Sequence, residues 1–141
     1  MDKNGPILLI DDDDEDLEIF NGILHELAPE REILNFVNSD EVLAYLNENT
    51  SVNPFLIISD INLPKLSGIE LRDKIHNNEQ LRLRCIPYLF FTTSSAQQMV
   101  VDAYSKSIQG FFIKPSSIDE FKNMVKAILS YWSLCKAPNT Q

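Results

Sequence analysis

Five short apolar runs, each stopped by a polar or charged residue and each followed by helical periodicity, constrain this chain more than any other feature. They read ILLI at 7–10, ILNFV at 33–37, FLII at 55–58, YLFF at 88–91 and FFI at 111–113. Runs this short, four of them without a polar interruption, fit strands buried on both faces, as in a parallel sheet. Between them the period changes to that of a helix. Leu17, Phe20, Leu24 and Leu27 share one face before Pro29, and Asp40 is the expected N-cap of a helix carrying Val42, Leu43 and Leu46. Helical patterns return at 69–75 and about 96–106. A last helix is expected to bury Ile118, Phe121, Val125, Ile128, Leu129 and Trp132 along one stripe. The polar connection at 77–84 has no assigned shape. Strict alternation of strand and helix gives an α/β domain with a parallel sheet, and right-handed crossovers place helices on both faces.

Composition narrows the class. At 141 residues the chain is read as one domain, 1–141, with a core over about 6–134 and a polar tail at 136–141. Its 21 acidic residues against 12 Lys and Arg leave a net charge of -9. That balance argues against a nucleic-acid surface and suits carboxylates gathered round a cation. Cys85 and Cys135 stand far apart in no metal or redox spacing and are read as reduced thiols. The apolar run before the first acids is too short for a signal peptide or a membrane span, so a cytoplasmic location with no membrane contact is expected. His25 and His76 fall in helical segments as surface residues, with no zinc-ligand spacing.

The chemistry gathers where the apolar runs end. The first run delivers Asp11 and Asp12, the third Asp60, the fourth Thr92 and the fifth Lys114. In an open parallel sheet the carboxyl ends of the strands form the binding crevice. Three carboxylates, a hydroxyl and an ammonium are therefore expected to converge there. Neighbouring carboxylates repel unless a cation sits among them, and Mg²⁺ suits an all-oxygen site that also takes phosphate. An Asp beside such a metal can act as nucleophile and form an acyl phosphate, with Lys114 and Thr92 neutralising the transferred group. Asp13, Asp14, Glu15 and Asp16 are read as the solvated N-terminus of a helix.

The segments ILLIDDDDED, LIISDINLPKLSGIEL, IPYLFFTTSS and GFFIKPSS, in this order, resemble the receiver domains of bacterial two-component response regulators. The resemblance implies a flavodoxin-like (βα)5 fold, doubly wound, with a five-stranded parallel sheet of order 2-1-3-4-5 and five helices. It implies Asp60 as phospho-acceptor, with Mg²⁺ held by Asp12 directly, by Asp11 through water, by Asp60 and by the backbone carbonyl of Asn62. Lys114 would pair with Asp60 and then with the phosphoryl group. Thr92 and Phe111 would form the switch, Asn62 and Ser94 would tune dephosphorylation, and Pro115 would be a cis-proline aiming Lys114. Thr93 stands where many receivers have Ala. Phe111 replaces a Tyr found in some of them, so its switch would work by packing alone. TTSS and the longer 77–84 connection resemble stand-alone regulators that partner phytochrome-type sensor kinases.

The partners implied are a sensor histidine kinase or phosphotransfer protein and a downstream protein target. With only a helix after Lys114, output is expected through the receiver's own fourth and fifth helices. Tyr131 and Trp132 raise a homodimer or partner reading, against which Trp132 packing on the sheet is preferred. Two other functions compete. A haloacid-dehalogenase-like phosphohydrolase could use Asp11 and Asp13 as an Asp-x-Asp pair, but it would leave Asp60 without a role. A binding module without phosphorylation would leave the full set Asp11, Asp12, Asp60, Thr92 and Lys114 unexplained. The expected activity is self-phosphotransfer with a persistent acyl phosphate, not enzymatic turnover.

Overall fold

A computed structural model describes residues 1–93 and 96–138. Five strands, β1 (Ile7–Ile10), β2 (Ile33–Phe36), β3 (Leu56–Ser59), β4 (Tyr88–Thr92) and β5 (Gly110–Ile113), form one parallel sheet in the order β2-β1-β3-β4-β5. The helices are α1 (Asp14–Leu27), α2 (Ser39–Glu48), α3 (Gly68–Asn77), α4 (Glu79–Arg82), α5 (Gln97–Tyr104) and α6 (Ile118–Leu134).

Alternation along each strand sorts the core into two halves. Ile7 and Leu9 of β1 face one side with Leu89 and Phe91 of β4, under α1 and α6. Leu8 and Ile10 face the other side with Tyr88 and Phe90, under α2, α3, α4 and α5. All four residues of β1 and all five of β4 are buried, so these strands lack the apolar–polar alternation of a half-wet sheet. On the first side Phe20 of α1 meets Phe91 and Phe121 edge-on at ring centroid distances of 5.0 and 4.9 Å, while Phe91 and Phe121 stack at 5.7 Å. This cluster ties α1, β4 and α6 together.

Helix starts follow local chemistry, with some departures from expectation. Asn38, not Asp40, caps α2: its backbone is extended and its side chain accepts from the Glu41 N–H. Both residues are good caps, but Asp40 already lies inside the helix and instead pairs with Lys65 at 3.2 Å on the surface. Ser67 and Glu70 form a reciprocal capping box at the start of α3. The 77–84 connection holds the extra helix α4, capped by Asn78, so there are six helices rather than five among the described residues. Val37 falls outside β2 and is exposed. In α6, Phe121, Val125 and Ile128 are buried and Leu129 and Trp132 pack against the core, but Ile118 in the first turn projects beyond it and is exposed. Cys85 and Cys135 are unpaired, His25 is exposed, and His76 is half-buried.

Truncating Phe20 to Ala would remove the shared partner of Phe91 and Phe121. Urea denaturation should show a loss of about 3–5 kcal/mol, the range for a buried Phe→Ala change.

Candidate functional site

The sheet register builds the site. Ile10 of β1 lies opposite Ser59 of β3, so the next residues of the two chains, Asp11 and Asp60, emerge side by side at the carboxyl edge. Backbone pairing continues one step past the strands: the Asp60 N–H donates to the Ile10 carbonyl at 2.9 Å and the Asp11 N–H to the Phe36 carbonyl at 3.1 Å. The Lys114 N–H likewise donates to the Thr92 carbonyl at 2.9 Å, fixing the base of that side chain beside β4. Behind Asp60, the start of α3 packs so closely that only glycine fits. A Cβ on Gly68 would lie 2.3 Å from the Asp60 carbonyl oxygen and 2.8 Å from the Phe90 ring.

The Lys114 ammonium is the centre of the cluster. It donates to Asp11 Oδ2 at 2.7 Å, to Asp16 Oδ2 at 2.8 Å and to Asp60 Oδ2 at 2.8 Å. Its side chain is 5% exposed, against 5%, 29% and 11% for the three carboxylates in that order. Burial works against the Lys114 charge, but the three carboxylate hydrogen bonds outweigh it and hold the ammonium above its ordinary pKa. Asp11 shows the opposite balance. Burial raises its pKa more than the Lys114 hydrogen bond and the Asp13 N–H lower it. The second oxygen of Asp60 accepts the N–H groups of Ile61 at 2.6 Å and Asn62 at 3.2 Å, so this carboxylate is held from both sides.

The other expected residues are placed as follows. Asp12 is exposed beside Asp11 at the same rim, and Asn62 is exposed in the loop after Asp60. Thr92 ends β4 fully buried, and Thr93 beyond it is exposed. Phe111 of β5 is half-buried, its ring 6.2 Å from that of Phe90. Ser94 lies outside the described residues. The Lys114–Pro115 peptide is trans, contrary to expectation; Lys114 is aimed by the β5 ladder and its three carboxylates instead.

Asp16 is the residue that the reading of 13–16 as a solvated terminus missed. Asp13 does cap α1, accepting the Asp16 N–H at 3.0 Å, but the Asp16 carboxylate turns inward to Lys114. The signal was present, because 16, 20, 23 and 24 share one helical face and the last three are buried. Arg72 was missed for a similar reason: it lies in α3 between the buried Leu71 and Ile75 and is itself buried.

The donor set is all oxygen and suits a hard divalent cation. As the side chains stand, no three His, Cys, Asp or Glu among the described residues are gathered to hold an ion. Instead the Lys114 ammonium sits among the inward carboxylates.

The family model of the response regulator receiver domain matches residues 7–126. The chain is 28% identical to response regulator Rcp1 of Synechocystis sp. over 130 residues, covering 89% of this chain and 87% of Rcp1. A solved Mn²⁺-bound form of Rcp1 superposes with a TM-score of 0.82 at 27% identity, covering 95% of this chain and 99% of that one. The phosphorylated cyanobacterial phytochrome response regulator RcpA superposes with a TM-score of 0.86 at 23% identity, covering 96% and 99%, and shows likeness of fold. A probable methanogenesis regulatory protein, FilR2 of Methanothrix harundinacea, is 37% identical over 79 residues, 56% of this chain. The chain spans about half the length of that relative, 50%.

Replacing Lys114 with Met would leave buried Asp11 and Asp60 without their cation. In urea, without divalent ions, the loss at neutral pH should be about 3–5 kcal/mol, the range for breaking a buried ion pair. Burial already raises the Asp11 pKa, and without the lysine it would stand further above its unfolded value, so the folded state would bind more protons across that window. The deficit should therefore close as the pH falls through the carboxylate range.

Proposed function

This chain belongs to the response regulator receiver domain family, the phospho-accepting switches of two-component signalling, and on that footing we propose that its acceptor is Asp60. The observation that carries this reading is the meeting of Asp11, Asp16 and Asp60 on one buried ammonium at the carboxyl edge of the sheet. Asp60 is oriented for attack by the Ile61 and Asn62 N–H groups on one oxygen and by Lys114 on the other. Its side chain is 11% exposed, enough for a small phosphoryl donor to reach an oxygen.

Asp12 and Asp11, with Asp60 and the carbonyl of Asn62, would hold a divalent cation, which we assign as Mg²⁺. Bound there, it would offset negative charge on the phosphoryl oxygens. Three carboxylates around one ammonium leave an excess of negative charge that a divalent cation would complement. Rcp1, the relative solved with Mn²⁺, supports a divalent cation in this class of site.

Lysine has three N–H donors, and Lys114 spends one on each carboxylate. It can reach a phosphoryl oxygen on Asp60 only by releasing a present partner. Asp16 is the one to release, because at 29% exposure water can solvate it with least loss. Thr92, at the end of β4, would follow the phosphoryl group, and Phe111 would repack against Phe90 without a hydroxyl. Asn62 and Ser94 would tune hydrolysis. Neither is a strong general base, so the acyl phosphate should outlast a few seconds.

The donor would be a sensor histidine kinase or a phosphotransfer protein. The output would be a protein contact made by a single receiver domain, with self-phosphotransfer and autodephosphorylation as its only chemistry. The phosphohydrolase alternative assigned acid–base work to Asp13, whose carboxylate instead caps α1. Among the described residues no helix is long and apolar enough to cross a membrane.

Acetyl phosphate with Mg²⁺ should add one phosphoryl group to the wild type, read by intact mass, and none to Asp60→Asn. Equal labelling of both would remove Asp60 from the reaction. Asp16→Ala frees one Lys114 donor from a partly exposed pair, a class worth about 0.2–1 kcal/mol. It should raise the rate of labelling by acetyl phosphate up to a few-fold, and an unchanged or slower rate would count against release of Asp16.

A further inference from the structure

The opposite, amino-terminal edge of the sheet carries a feature that phosphoryl transfer does not use. A cavity of about 370 Å³ opens below β4, between the end of α3, the helix α4 and the end of α6. That volume falls within the range of small-molecule sites. Its lining includes Arg72, His76, Arg82 and Lys136, with Ile86 and Trp132 as apolar wall, and no Asp or Glu. In a chain with 21 acidic residues and a net charge of -9, a cavity whose described lining holds cations and no Asp or Glu is a local inversion of charge.

Part of this charge serves the fold. Arg72 donates from Nε to the Lys106 carbonyl at 3.1 Å and from Nη2 to the Ser107 carbonyl at 2.6 Å, and its guanidinium lies 5.5 Å from the Tyr88 ring centroid. Arg82 donates from Nη1 to the His76 carbonyl at 2.9 Å, near the end of α3, where cations are favoured by the helix dipole. The rest is not spent. Neither Arg72, Arg82 nor Lys136 forms an ion pair among the described residues. Arg72 is 6% exposed, yet its Nη1 has no hydrogen bond to a described residue, and no buried side-chain nitrogen among the described residues is sealed without a partner. That nitrogen is therefore not sealed, and Arg72 is among the residues that line the cavity.

We infer that this cavity binds a small organic oxyanion, a phosphate or carboxylate head on a flat apolar body. The head would meet Arg72, Arg82 and Lys136, and the body would lie against Ile86 and Trp132. An arginine fork and a lysine ammonium recognise oxyanions through charge-assisted hydrogen bonds, and desolvation beside apolar walls strengthens them. The apolar wall is what separates this ligand class from a bare inorganic ion.

Trp132 is the single tryptophan of the chain and lines the cavity, so its emission reports on occupancy. The full chain, free of divalent ions, would be titrated with phenyl phosphate, benzoate, inorganic phosphate and the neutral isostere benzyl alcohol. Phenyl phosphate or benzoate should give a saturable change in Trp132 emission, and whichever binds tighter identifies the head group. Inorganic phosphate and benzyl alcohol should each bind at least about tenfold more weakly, since each lacks one half of the recognition. The double variant Arg82→Gln with Lys136→Gln changes two exposed side chains and should weaken the organic anions by about tenfold or more. Arg72→Met should abolish the response; if it fails to fold, the double variant carries the test. Asp60→Asn should respond as the wild type does, because the acceptor lies at the other edge. No saturable change with either organic anion, equal affinity in the double variant, equal binding of benzyl alcohol, or loss of the response in Asp60→Asn would overturn the inference.

Discussion

The Lys114 ammonium is the point through which distant parts of this chain become one site. Its three partners come from the end of β1, the first turn of α1 and the end of β3, and it arrives from the end of β5. Sequence separations of 103, 98 and 54 residues are closed by one charged group. Burying that group opposes its charge, and the carboxylates restore it. The same contact leaves Asp11 undercompensated, with burial still raising its pKa. The rim is thus held together by an interaction that satisfies the cation fully and Asp11 only in part.

That arrangement depends on a rigid frame. Asp11 and Asp60 sit together because β1 and β3 are in register up to Ile10 and Ser59, and because the ladder extends one residue further. Gly68 lets α3 begin against the Asp60 carbonyl, closer than any Cβ would permit. Its own N–H donates to the Ile61 carbonyl at 2.8 Å, so the loop after Asp60 is tied back to the helix that follows. Packing on the two faces then fixes the helices. The Phe20, Phe91 and Phe121 rings hold α1 and α6, and with them the backbone that carries Asp16.

Much of this was legible in the sequence because burial on both faces removes polar residues from a strand. The ends of β1, β4 and β5 therefore appeared as the positions where apolar runs stop, and Asp11, Thr92 and Lys114 are those stops. What escaped has a common physical cause. Asp16 and Arg72 are charged residues on helical faces that are otherwise buried, and their partners lie far away in sequence, so only the tertiary fold shows that burial is compensated. Asn38 and Asp40 were equivalent caps by residue type, and the choice fell to the residue whose backbone stays extended. Ile118 belongs to the apolar stripe by spacing but is the first residue of α6 and stays exposed.

The fold also imposes a direction on charge that the net value conceals. In a parallel sheet with right-handed crossovers, every long helix begins at the carboxyl edge and ends at the amino edge. Helix N-termini favour anions and C-termini favour cations. The first turns of α1, α2, α3 and α6 all carry acids, and the end of α3 carries Lys74 and His76. The acid-bearing starts of α1, α2, α3 and α6 and the cationic end of α3 follow that direction, whereas the last turns of α2, α5 and α6 carry no basic residue. At the rim, Asp16 from the first turn of α1 meets Asp11 and Asp60 from the ends of β1 and β3, and a single ammonium holds all three. A phosphoryl group added there would bring more negative charge to a place already in excess. A divalent cation would offset part of that charge, and Lys114 could join it only by changing partners, of which Asp16 is nearest to water. Asp16 stands on α1 and Lys114 at the end of β5, one strand position beyond Ile113. A change of partner at the acceptor is thereby felt at once on two elements that do not carry Asp60.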